Sequence, residues 1–241
     1  MQKLKHFILS VIGYLLRRIN RNQIRYGDHK ICTNSDLVNN VTVALIYFKK
    51  YEKDEIELCS KYFNLNSDIV ELGTSIGVVA SYLQQQGKIK KMICVEANPF
   101  LHGLLRQTFS INNFKETTLL EVAISNSNEP VYFSTRNSNE LGKIVDHSEI
   151  KINSKSLQQI ITENNITNYS LVCDIEGAEC SFIFNEELVG CQLAIIELHS
   201  SKWEEKHYSI EELSVLIQSK GFDLLERINN TFVFKRIANK K

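Results

Sequence analysis

Apolar positions change their spacing along this 241-residue chain, and each change marks an element. Leu4, Phe7, Ile8, Val11, Ile12, Leu15, Leu16 and Ile19 repeat at i, i+3, i+4 and predict an amphipathic helix of about four turns. Asp36 to Phe63 reads as a second helical stretch that packs beside the first strand as a lid or cap. Lys49 to Glu57 within it reads as a solvated charge run between two helices, without chemistry. Asp68 to Leu72 is then a short β-branched strand, broken by Gly73, and from Ile76 helical spacing returns at Val79, Ala80 and Leu83.

The same alternation continues. Strands are expected at Lys91–Glu96, Thr117–Ile124, Tyr169–Asp174 and Cys191–Leu198, with an extra one at Val131–Thr135. Helices are expected after Pro99, over Ser156–Ile161, through Phe182–Phe184 and over Ile210–Ile217, the last closed by Lys220-Gly221. Phe222–Arg227 and Thr231–Arg236 form a hairpin around Asn229-Asn230. Arg136 to Glu149 is polar and aperiodic, and is expected to be a mobile or substrate-facing loop. The pattern predicts a three-layer α/β domain whose hairpin sets one strand antiparallel in an otherwise parallel sheet. Residues 1–30 divide off as a basic helix and linker, 31–66 as a helical cap, and 67–241 as the main domain.

Composition narrows the partners. Hydrophobic residues make up 43% of the chain, enough for one substantial core. With 28 basic and 28 acidic residues the net charge is zero, which argues against a general nucleic-acid binder. The charge is uneven: residues 1–30 hold seven Lys or Arg against Asp28 alone. The first helix therefore has two readings, one lying on an anionic membrane surface through residues 1–25, the other docking on the body or on a second copy in a homodimer. Its apolar run is too short to span a bilayer, and Arg17, Arg18 and Arg21 follow it where a secretory signal would have a cleavage site. The six cysteines form no metal-ligand or C-x-x-C pattern and suit a reducing, cytoplasmic compartment, at most peripheral to the inner face of a membrane.

The chemistry concentrates at strand ends. In D-I-V-E-L-G-T-S-I-G (68–77) a strand meets a helix across a glycine turn, which brings backbone N–H groups to the positive end of the helix. Gly73 is expected to let backbone approach a ligand and Gly77 to let helix pack on strand, with Glu71 pointing a carboxylate into the same crevice. Glu96 closes the next strand, placed to accept hydrogen bonds from ribose hydroxyls. The middle glycine of a dinucleotide fingerprint is replaced by Ser75, so the nucleoside stays open at this point.

V-E-L-G-T-S-I-G, V-E-A-N-P, L-V-C-D-I-E-G-A-E and I-I-E-L-H, in this order, resemble the FkbM family of S-adenosylmethionine-dependent methyltransferases over Ile69 to Arg236. The family usually has Asp where Glu71 stands and Pro where Ala97 stands. The resemblance implies a Rossmann-like class I methyltransferase with seven strands, the last antiparallel. It also implies S-adenosylmethionine as cofactor, held by Glu71, Gly73, Thr74, Ser75 and Gly77, with Glu96 on the ribose, Ala97 and Asn98 around the adenosine, and Val122 and Ala123 beside the adenine. The expected reaction is O-methylation of a sugar, glycan or secondary-metabolite hydroxyl. A nicotinamide oxidoreductase and a non-catalytic nucleoside-binding module of the same fold are the alternatives.

Methyl transfer needs alignment and removal of the hydroxyl proton. His199 is the candidate base because imidazole titrates near neutrality, with Asp174 orienting it, binding substrate or acting as base itself, and Glu197 beside them. A Mg²⁺ ion between Asp174 and Glu197 is the less favoured arrangement. Glu176 and Glu179 read equally well as a helix cap and a structural pairing partner, and Trp203 as core or as an apolar pocket wall.

Overall fold

A computed structural model describes residues 2–63, 67–87, 89–127, 129–134, 143–145, 150–184 and 188–238. Seven strands form the main sheet: β1 (Asp68–Leu72), β2 (Met92–Val95), β3 (Thr117–Leu120), β4 (Tyr169–Cys173), β5 (Cys191–Glu197), β6 (Phe222–Ile228) and β7 (Thr231–Arg236). Their spatial order is 3-2-1-4-5-7-6, with β7 antiparallel to both neighbours and every other pair parallel. The expected seven-stranded sheet with one antiparallel strand is therefore present.

Strand alternation sorts the core into two layers. Ile69, Cys94, Val172, Ile195 and Val233 face one side, where Leu58, Ala80, Leu83 and Leu105 cover them from helices α3 (Lys53–Tyr62), α4 (Val78–Gln85) and α5 (Pro99–Ile111). Val70, Leu72, Leu171, Ala194 and Phe232 face the other, against α6 (Leu157–Glu163), α7 (Cys180–Ile183) and α8 (Ile210–Ser219). The central strand β1 is buried at all five positions, as a doubly covered parallel strand must be.

Local chemistry sets the ends. Pro99 opens α5 behind an Asn98 cap, and Ser156 and Ser209 each begin a capping box with Gln159 and Glu212. Gly221 follows α8 with φ +85°, and Asn229 takes φ 51° in the β6–β7 turn.

The remaining helices, α1 (Gln2–Ile19) and α2 (Asn40–Tyr47), pack together and share a third apolar cluster with α4 and α5. That cluster includes a ribbon of Gln23–Tyr26 paired with His29–Cys32, which the sequence reading passed over. Its signal was present as Gly27-Asp28, a two-residue hairpin turn. A second small hairpin, Ser201–Trp203 with Lys206–Tyr208, was also missed. The expected third strand Thr117–Ile124 splits: Glu121 and Val122 leave the sheet, and Ala123-Ile124 pairs instead with Ser154-Lys155. Most of the polar loop 136–149 lies outside the described residues, but Lys143–Val145 pairs antiparallel with Val131–Ser134.

Candidate functional site

At the carboxyl ends of β1, β2, β4 and β5 lies a cavity of about 570 Å³, inside the size range of small-molecule sites. Gly73, Ser75, Glu96, Ala97, Val122, Asp174 and Glu197 reach it, as the sequence reading expected. Glu71, Thr74, Gly77, Asn98 and Ala123, assigned there with them, do not line it.

Glu71 is buried, at 2% exposure, and points to the α4 side of the sheet, because residue 71 has the parity of Ile69. Burial raises its carboxyl to about 7, opposed by Cys94, Thr74 and the Ala80 backbone N–H. Gly77, the cap of α4, has no side chain to satisfy the first amides of that helix. Glu71 beneath Ala80 and Glu52 beside the Val79 N–H take over that task. Glu71 is thus a support under the turn rather than a ligand group in the crevice.

The turn itself is closed by its own bonds. The N–H groups of Gly73 and Thr74 donate to the Val95 carbonyl at 2.9 and 3.0 Å, and that of Gly77 donates to the Thr74 carbonyl at 2.8 Å. Ser75, at φ 54°, donates its N–H to Oε2 of Glu96 at 2.6 Å. The amides expected to be available to a ligand are largely committed inside the protein. Gly73 makes room for protein, too: a Cβ there would lie 1.6 Å from the Asp174 carbonyl oxygen. A Cβ on Gly77 would meet Leu105 on α5 at 3.0 Å, so its close packing is helix on helix, not helix on strand.

Glu96 is held from both sides. Oε1 accepts from the Asn98 N–H at 2.7 Å while Oε2 takes the Ser75 N–H. Burial raises its carboxyl to about 7 against these bonds. A carboxylate accepts about four hydrogen bonds, so these bonds leave Glu96, which lines the cavity, with accepting capacity. The side chain of Asn98 is spent on capping Phe100 N–H at 3.0 Å. His102 steadies the strand end, its Nε2 lying 2.9 Å from the Glu96 carbonyl oxygen.

The opposite wall comes from the segment read as a solvated charge run. Lys50 to Glu55 line the cavity, and Glu55 is buried. Thr231 donates to Glu55 at 3.0 Å, Asn229 to Asp54 at 2.6 Å, and the Tyr51 and Ser75 hydroxyls lie 3.2 Å apart. The cap is thereby tied to both the β6–β7 hairpin and the glycine turn. A signal existed: Glu55 shares the helical stripe of the buried Leu58 and Cys59.

Asp174, Glu176 and Glu197 complete an acidic floor. Burial, reinforced by Glu176, raises Asp174 to about 7, and burial with Asp174 and Glu55 raises Glu197 to about 8. His199 sits behind them. Its Nδ1 is 3.0 Å from buried Glu179, and its Nε2 is 3.5 Å from Glu176 and 3.8 Å from Glu197. Burial opposes a charge on this imidazole, but the Glu179 hydrogen bond and the surrounding acids outweigh it and raise its pKa to about 9. The raised pKa favours the charged ring, which donates from Nδ1 to Glu179. A protonated ring has no lone pair for an acceptor's proton, which weighs against the role of general base expected for His199. Glu179 is its pairing partner.

The donor atoms close enough to share a cation, among the described residues, belong to Asp174, Glu176 and His199, all within 4.8 Å of one another. Glu197 is outside that group, which therefore differs from the Asp174–Glu197 pair expected for Mg²⁺. Trp203 stacks on Phe184, ring centroids 5.4 Å apart, and borders a second recess of about 230 Å³ that shares Ile124, Glu176 and Ala178 with the main cavity.

No family model matches this chain, and no curated protein does. Solved structures with a similar course of backbone include a SAM-dependent methyltransferase from Aquifex aeolicus, at 13% identity and TM-score 0.44, over 76% of this chain and 90% of that one. M. capricolum TrmK in complex with S-adenosyl-homocysteine is 12% identical at TM-score 0.46, over 75% and 67%. A protein in the NADB-Rossmann superfamily from Streptococcus agalactiae is 10% identical at TM-score 0.45, over 76% and 68%. At such identities the likeness concerns the path of the backbone, not activity.

Proposed function

We propose that this chain is an S-adenosylmethionine-dependent methyltransferase of the FkbM type, acting on a hydroxyl of a sugar, glycan or secondary metabolite. The observation that carries the reading is Glu96. It stands at the end of β2 beside the glycine turn and lines a cavity whose charged walls are mostly acidic. Glu52, Asp54, Glu55, Asp174, Glu176 and Glu197 share those walls with only Lys50 and Lys53. S-adenosylmethionine, with a sulfonium, an ammonium and one carboxylate, carries net positive charge and fits such walls. A dinucleotide is an anion and needs free turn amides for its pyrophosphate. Here those of Gly73, Thr74, Ser75 and Gly77 are already bonded.

Glu96 would hold the ribose hydroxyls, with Ala97 and Val122 along the nucleoside. When bound, the cofactor would supply a methyl group on a sulfonium. Asp174, raised to about 7, is the group suited to take the acceptor's hydroxyl proton near neutral pH. The His199 cation keeps that carboxyl from rising further. The remaining carboxylates can accept hydrogen bonds from a polyhydroxylated acceptor.

Calorimetry on the purified protein with S-adenosylmethionine, S-adenosylhomocysteine and NAD tests the cofactor. Binding of the first two without NAD is expected, and the reverse result would end this reading. A screen of glycan and lipid-linked acceptors with a labelled methyl donor then addresses the hydroxyl class; transfer only to amines or nucleic acid would refute it.

A further inference from the structure

Helix α1 is folded with its apolar stripe turned away from the protein. The backbone meets α2 at Gly13, where a Cβ would lie 1.7 Å from the Asn40 carbonyl oxygen. On the same side Arg17 donates to the carbonyls of Thr33, Ser35 and Val38. At 3.6 residues per turn, Leu4, Val11 and Leu15 lie roughly 160–180° around the helix from Gly13. The exposures agree: Leu4 63%, Phe7 64%, Leu15 51% and Ile19 76%. An amphipathic helix that docks through its narrow face leaves its wide apolar face uncovered, which a soluble surface rarely tolerates.

The surrounding charge identifies what covers it. Gln2–Ile19 contains no acidic residue, and Lys3 and Lys5 fall on opposite edges of the stripe. The Arg18 guanidinium lies 5.0 Å over the exposed Tyr14 ring, beside the same stripe. An apolar face with an aromatic ring at its margin and basic edges is the composition of a helix lying in a lipid interface. No helix among the described residues is long and apolar enough to cross a membrane. A second copy of the chain on this face would bring two unneutralised basic segments together, seven Lys or Arg against one Asp in residues 1–30 of each.

We infer that α1 seats this protein on an anionic lipid surface, its axis in the plane of the interface and Leu4, Phe7, Val11 and Leu15 inserted. This contact is independent of the methyl-transfer reading.

The test is co-sedimentation of the full chain with vesicles of phosphatidylglycerol and phosphatidylcholine, and with phosphatidylcholine alone. Binding is expected only to the first, weakening as salt rises. Leu4→Gln, Val11→Gln and Leu15→Gln together should lower partitioning by about tenfold or more. Their melting curve should stay nearly unchanged, because all three side chains are exposed and none belongs to a core cluster among the described residues. Lys3→Gln, Lys5→Gln and Arg18→Gln should weaken it as well. Failure of the parent chain to sediment, equal sedimentation with phosphatidylcholine alone, or unaltered binding by the apolar triple variant would overturn the inference. So would a solution dimer that the apolar variant dissociates in a chain that ignores vesicles.

Discussion

The Ser75 N–H and the Glu96 carboxylate meet at 2.6 Å, joining the glycine turn after β1 to the acid that ends β2. Because Asn98 N–H holds the other oxygen, Glu96→Gln must turn an amide NH₂ against one of two backbone donors. We expect cofactor affinity to weaken about tenfold or more, since hydrogen bonds to a charged group contribute ~1.5–3 kcal/mol. Calorimetry with S-adenosylmethionine checks it, and unchanged affinity would remove Glu96 from the ribose.

Asp174→Asn should leave cofactor binding in place and cut turnover by about 10²–10⁴, the usual contribution of a positioned base. In the parent enzyme turnover should rise with pH through about 7, as the Asp174 carboxyl loses its proton. Single-turnover rates across that range decide the matter. A flat profile in the parent enzyme would point to another base.

His199 acts on that profile from behind. Its positive charge lowers the Asp174 pKa, so His199→Gln should move the rising limb to higher pH. A limb that stays in place while activity falls would mean that His199 only supports the loop.

Gly73→Ala should disrupt the domain. Its φ of +83° disfavours a side chain, and the Cβ would collide with backbone at Asp174 rather than with a flexible group. A loss of ~4 kcal/mol or more is expected, read as a large drop in melting temperature or as insoluble protein.

Glu71 gives a stability prediction with a definite sign. Its carboxyl is raised from the ordinary 4.5 to about 7 in the fold, so the folded chain holds a proton there that the unfolded chain releases. This stabilisation is complete below about 4.5 and is lost as pH rises through about 7. Its upper bound is roughly 3 kcal/mol, from ~1.4 kcal/mol per pH unit. Glu71→Gln should flatten the fall in melting temperature over that interval. An unchanged slope would show that Glu71 is ionised in its pocket.

How much of this was legible in the sequence follows from the range of each interaction. Spacing of apolar residues determined the strands and helices, because a strand buried on both faces must read like β1, and a terminal hairpin must reverse one strand. It also located Glu96 and Asp174 at strand ends. Only the tertiary structure decided which of the neighbouring groups reach the cavity. Glu71 and Glu96 look alike in the chain, yet the parity of one strand sends the first beneath α4 and the geometry after β2 leaves the second at the opening. Lys50 to Glu55 read as solvated because their charge outweighs the one local signal, the stripe Glu55 shares with Leu58 and Cys59, and spacing does not say that this segment folds over the carboxyl ends of the strands. The pKa of His199 is raised by Glu179, Asp174 and Glu176, whose convergence belongs to packing and not to spacing. Periodicity is a property of neighbours along the chain, whereas burial and charge depend on neighbours in space.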